Sequence, residues 1–189
     1  MKRFIILILI CFLLCSATCR DEYTPEQKTY LSRETQDWGK GFFFSIGNSE
    51  ISKIIDQLKE YSGISFSVLY VQTFELGKSI SLGLIFIDFS VLAKEKDIIA
   101  FVMAHEVGHQ VLRHFLVRKN GQADINYNTG QILAMEREAD AYAARFLCKY
   151  GYDIEKVCNF AITIPFSDPE HGTWQERVEL IKKVVENCK

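Results

Sequence analysis

The sequence predicts an α+β domain, mainly helical, with a small antiparallel sheet ahead of most of the helices. Three observations lead there. Apolar residues alternate with their neighbours between Ile64 and Phe89, and beyond Lys94 they recur at helical spacing. Gly, Asn and Pro stand where those segments should end. The 189 residues are 48% hydrophobic and 24% charged, a globular composition with room for one ordinary domain and a real core. A formal charge of -2 with no basic stripe argues against a nucleic-acid partner.

The first nineteen residues stand apart. Met1-Lys2-Arg3 gives a positive start, Phe4 to Leu14 is an unbroken apolar run, and small or neutral residues follow before the charges at Arg20-Asp21-Glu22. That is the layout of a secretory signal peptide, and the run is shorter than the roughly 20 residues that span a bilayer. The expected organisation is a signal segment, 1–19, and a single domain, 20–189, with its core at about 48–186. Cleavage would remove Lys2 and Arg3 and take the formal charge from -2 to -4. Cys19 also stands where a lipoprotein carries its acylated cysteine, although Thr18 precedes it where Gly, Ala or Ser is usual. Acylation there would add membrane association to an exported, periplasmic or envelope location. Cys148, Cys158 and Cys188 remain in the body, an odd number that admits one disulfide and a free thiol without fixing the pairing.

Along the body, Thr24-Pro25 begins a weak helix over 24–38. Asn48 caps a second helix through about Tyr61, with Ile51, Ile54, Ile55 and Leu58 on one face and Ser62-Gly63 at its end. Two or three short antiparallel strands follow, with Leu84–Asp88 read as an edge able to align an extended peptide. A long helix is expected from about Ala93 to Arg118, stopped by Asn120-Gly121. Further helices are expected over Thr129–Tyr150, Asp153–Thr163 and Thr173–Glu186.

The chemistry lies in the long helix. His105-Glu106-Val107-Gly108-His109 reads H-E-x-x-H. Residues four apart on a helix project from one face, so both imidazoles reach one ion at roughly 2.0–2.1 Å each. Glu106 points beside the metal, where a general base for an activated water belongs. Polar groups in so apolar a helix need partners, and Gly108 costs about 1 kcal/mol against Ala unless backbone or substrate comes close.

A catalytic zinc takes three protein ligands and keeps one position open. The third is expected from Glu136-Arg137-Glu138-Ala139-Asp140. Glu136 shares the apolar stripe of Ile132, Ala139, Ala143 and Leu147, whereas Glu138 lies about 200° round beside Arg145. A carboxylate on the buried stripe needs a strong partner, so Glu136 is the expected ligand. Asp140, one turn on, would orient His105 or His109 through its distal N–H. His114 falls about 140° from His109 on a continuous helix and reads as structural.

These residues resemble the zinc peptidase family that includes HtpX and the CAAX prenyl proteases, especially its exported periplasmic branch. The resemblance spans about Phe66 to Leu180. It is carried by H-E-x-x-H with Arg113-His114 after it, by Glu136-Arg137-Glu138-Ala139-Asp140 as the family's E-x-x-x-D, and by His171 with Glu176-Arg177-Val178 as its H-P-x-x-x-x-R. The resemblance implies His105, His109 and Glu136 as ligands of one Zn2+, Glu106 as base, and a zincin-like domain of helices on a small sheet beside a cleft. It also brings His171 toward the cleft, to bond an oxyanion or to plug the metal. The sequence departs from the family where Gln72-Thr73-Phe74 replaces an N-A-F strand segment, where Gly172 replaces Pro, and in lacking the membrane spans.

The expected function is zinc-dependent endopeptidase action on unfolded protein or peptide substrates, with envelope quality control as a role that the family suggests. Two alternatives stay open: a non-catalytic, zinc-stabilised binding or chaperone-like protein, and a zinc hydrolase of a non-peptide substrate.

Overall fold

The computed structural model describes residues 24–27, 29, 48–71, 76–80, 83–114, 118–119, 122–123, 128–164 and 171–188. The expected signal segment with Cys19, the Gln72-Thr73-Phe74 segment and most of the expected 24–38 helix lie outside the described residues. The chain divides into two compact units, residues 1–41 and 42–189. In the first, the backbone N–H of Thr24 donates to Gln27 Oε1 at 2.8 Å, and the backbone N–H of Gln27 donates to Thr24 Oγ1 at 3.2 Å. This is the reciprocal cap expected of a helix that starts at Pro25.

The second unit opens with helix α1 (Ser49–Ser62). Asn48 Oδ1 accepts from the N–H of Glu50 at 2.9 Å, and Gly63 closes the helix at φ 68°. Ile51, Ile54 and Leu58 are buried along one face, each worth about 1.5–3 kcal/mol when removed from water. Strands β1 (Ser67–Val71), β2 (Gly77–Ile80) and β3 (Leu84–Asp88) form one sheet in the order β1-β3-β2.

Two expectations are corrected here. The sheet is mixed, because β1 runs parallel to β3 while β2 is antiparallel to it. Leu84–Asp88 is the central strand and is buried over its whole length, so the edge beside the helices is β2. The physical reason is legible in hindsight: Leu84-Ile85-Phe86-Ile87 is a continuous apolar run, the mark of a strand covered on both faces, rather than an alternating one. Tyr70, Ile85 and Ile87, with partly buried Val68, turn into the main core.

After the short helix α2 (Phe89–Leu92), helix α3 (Lys96–Leu112) runs through the centre of the unit. Nearly every residue from Asp97 to Gly108 is buried, because α1, the sheet, α4 (Thr129–Tyr150) and α5 (Ile154–Thr163) all pack around it. A helix apolar on all sides has this position as its stable solution. Its one buried carboxylate near the start, Asp97, accepts the backbone N–H of Asp153 at 2.9 Å. The expected helix to Arg118 ends six residues early. Beyond it β4 (Arg118–Lys119) and β5 (Gln122–Ala123) form a small antiparallel pair.

Helices α4, α5 and α6 (Trp174–Glu186) start and stop within a residue of expectation, capped by Asn128, Asp153 and Thr173. Cys148, Cys158 and Cys188 are free thiols. Among the described residues, no helix is long and apolar enough to cross a membrane.

Candidate metal centre

Helices α3 and α4 cross closely where the site is built. A Cβ on Gly108 would meet Ala139 Cα at 3.3 Å and Tyr142 Cδ1 at 3.2 Å, so the glycine admits the backbone of α4. That contact brings Glu136 of α4 over the imidazole face of α3. His105 Nε2 lies 3.2 Å from Glu136 Oε2, His109 Nε2 lies 3.3 Å from Glu136 Oε1, and the two Nε2 atoms are 3.1 Å apart. His105, His109 and Glu136 thus form a group that could hold a metal ion. Tetrahedral bonds of roughly 2.0–2.1 Å place donor atoms about 3.3 Å apart, and the observed spacings match that edge. The expected choice of Glu136 over Glu138 agrees with this placement, since Glu138 stands apart from the group.

The electrostatics also call for a cation. Burial would lower the pKa of His105, but hydrogen bonds to Asp140 and Glu136 outweigh it and push the imidazole up to about 10. Burial lowers His109 against the pull of Glu136, so this ring is neutral. Burial opposes ionisation of Glu136, yet hydrogen bonds from His105 and His109 hold its carboxyl far below the usual range. The cluster therefore gathers one positive charge at its centre, a proton on His105 when no metal is bound.

Asp140 lies one turn from Glu136 and reaches His105, one of the two histidines it was expected to meet. Its Oδ1 lies 2.9 Å from His105 Nδ1. The carboxylate is fully buried and is gripped by Arg177 of α6, whose Nε and Nη2 donate to Oδ2 and Oδ1 at 2.7 Å each. Hydrogen bonds from His105 and Arg177 overcome burial and keep the Asp140 pKa low. Arg177 in turn lies 4.3 Å from the centre of the Trp174 ring. The sequence contained Arg177 within a weak motif but gave no means of deriving its role, which depends on how α6 packs against α4.

His114 corrects a geometric expectation. The helix ends at Leu112, and Arg113 turns the chain at φ 57°, the only positive φ of a non-glycine among the described residues. The N–H of His114 then donates to the His109 carbonyl at 3.0 Å and that of Arg113 to the Gln110 carbonyl at 3.3 Å. This double closure normally recruits Gly, and a side chain there costs about 1–2 kcal/mol. The turn carries His114 back beneath His109, with the two Nδ1 atoms 3.2 Å apart. The 140° separation on a continuous helix does not apply past the break.

These groups line one cleft of about 410 Å³. Glu106 is buried on its wall, against β2: a Cβ on Gly77 would fall 2.8 Å from Glu106 Oε1, so any side chain there would push this carboxylate aside. Gln110 fixes that strand, its Nε2 reaching Ser79 Oγ at 2.6 Å and the Ile80 carbonyl at 2.7 Å. Phe101, Val102, Ile164 and Trp174 make an apolar wall. His171 also lines the cleft but does not belong to the three-residue group. The next residue, Gly172, sits at φ 75°, which Pro cannot adopt. Compared with known proteins, the chain matches no family model and no curated protein at a significant level.

Proposed function

We propose that this chain is a zinc-dependent endopeptidase acting on exported proteins in an extended or unfolded state. The observation that carries the reading is the triangle of His105 Nε2, His109 Nε2 and the Glu136 carboxylate, with edges of 3.1–3.3 Å, in a cleft that also holds Glu106. Two imidazoles and one carboxylate are the donor set of a catalytic zinc, which leaves a position for water or substrate. Bound there, zinc supplies Lewis-acid polarisation of a carbonyl and eases deprotonation of a water molecule.

The chain's own residues do the rest. Glu106 takes the proton as the water oxygen bonds to the scissile carbonyl carbon, and gives it to the amide nitrogen as the C–N bond breaks. The products are one new carboxylate and one new amine. Strand β2, the sheet edge at the cleft wall, offers backbone N–H and C=O groups to an extended peptide. The apolar wall takes a hydrophobic side chain. His171, which lines the same cleft, would contact the carbonyl oxygen or cover the metal before substrate enters. Export rests on the layout of residues 1–19 and is read from the mass of the mature N-terminus: loss of a segment ending between Ala17 and Cys19 supports it, and a retained Met1 contradicts it.

The test of the activity is incubation of the purified chain with an unfolded protein, with and without a chelator, and with zinc restored. Internal cuts that vanish with chelator and return with zinc are expected. Stoichiometric zinc without cleavage of any peptide would favour a non-catalytic clamp.

A further inference from the structure

Resting on the reading of His109 as a metal ligand, we propose that His114 and Glu138 form a relay that positions His109 and sets which of its nitrogens is free for the metal. Glu138 Oε2 lies 2.9 Å from His114 Nε2, and His114 Nδ1 lies 3.2 Å from His109 Nδ1. Each contact accommodates one hydrogen. A carboxylate only accepts, so Glu138 requires the His114 proton on Nε2. His114 Nδ1 is then a lone pair, which requires the His109 proton on Nδ1. In the zinc-loaded protein His109 Nε2 is thereby left as a lone pair in the donor triangle with His105 Nε2 and Glu136, whereas in the metal-free protein Nε2 carries the proton and donates to Glu136 Oε1 at 3.3 Å.

The opposite arrangement sets two lone pairs against each other at the Glu138 contact and puts a proton on His109 Nε2, where no metal could bind. Asp140 fixes His105 by one direct bond, and His109 receives the same service through an intervening ring. The geometry is specific rather than incidental. The His114 side chain is only 7% exposed, and the left-handed Arg113 is what returns it to His109. Glu138 is 64% exposed and meets the site through this contact.

The experiment is zinc affinity by competition with a chromophoric chelator, together with imidazole ¹⁵N spectra of the zinc-loaded protein. His114→Phe keeps a ring but removes the acceptor, and weaker binding by about 10–100-fold is expected. Glu138→Ala should weaken binding by about tenfold, and Glu138→Gln, whose amide oxygen still accepts, should restore most of it. In the spectra, His109 should carry its proton on Nδ1 and His114 on Nε2. Equal affinities in wild type, His114→Phe and Glu138→Ala, or a His109 Nδ1 without a proton, would overturn the relay. Should His114→Phe fail to fold, Glu138→Ala and the spectra decide alone. The wild-type titration separates the levels: no zinc uptake overturns the metal centre and the relay with it, whereas uptake that the variants match overturns only the relay.

Discussion

His105 carries a proton where the three-residue group could hold a metal ion, so the site's response to pH should depend on whether a metal is bound. In the metal-free protein the His105 pKa is raised from 6.5 to about 10. Its contribution to stability is therefore fully present below pH 6.5 and is lost as the pH rises through 10. On the proposed reading zinc would replace that proton, so loaded protein should not share the loss. Thermal unfolding of chelator-treated protein should give a midpoint that falls from pH 6.5 toward 10, with a flatter curve after zinc is restored. A flat metal-free curve would mean that His105 is not cationic. Arg177 poses a second residue-scale question. Among the described residues, its guanidinium and His105 are the cations bonded to fully buried Asp140. Arg177→Ala should cost about 3–5 kcal/mol in denaturant unfolding, because it leaves that carboxylate half-paired in the core. A cost below about 1 kcal/mol would place the pair in the class of exposed salt bridges.

Two glycines set how closely neighbouring elements approach the site, and they separate stability from chemistry. Gly108 lets α4 cross α3, with Ala139 Cα only 3.3 Å from the position of an added Cβ. Gly108→Ala should destabilise by about 1–3 kcal/mol through overpacking and should weaken zinc binding as Glu136 moves away. Gly77 lies against Glu106, with 2.8 Å from an added Cβ to Oε1. Gly77→Ala should displace that carboxylate, so cleavage falls while zinc content and melting temperature hold. Simultaneous loss of zinc in Gly77→Ala would show that the strand supports the ligands as well as the base. Sequence reading anticipated a close approach at Gly108 but found no signal at Gly77, because a glycine in a short strand does not reveal which side chain of a distant helix it faces.

Across the whole molecule, legibility followed the range of the interaction. Caps and periodic stripes are local, and the helices over Ser49–Ser62, Thr129–Tyr150, Ile154–Thr163 and Trp174–Glu186 were accordingly readable. His105, His109 and Glu136 were readable because helical spacing and a buried carboxylate are also local facts. The strand order was not, since the parallel pairing of β1 with β3 depends on a connection that no short pattern encodes. The end of α3 was missed because Arg113 closes it without the usual glycine, and the Arg177–Asp140 pair because it joins residues 37 apart on two different helices. These pieces assemble a cleft with a triangle of side chains that could hold a metal, an adjacent carboxylate and a strand edge.

The central claim is that Glu106 moves the proton while His105, His109 and Glu136 hold the metal, and Glu106→Gln tests it most directly. The swap is isosteric and leaves the three ligands untouched, so the variant should fold and carry zinc in the same proportion as wild type. Cleavage of an unfolded protein, measured on the same samples as the zinc content, should fall by about 10²–10⁴-fold. Cleavage at the wild-type rate by a fully zinc-loaded Glu106→Gln protein would contradict the account.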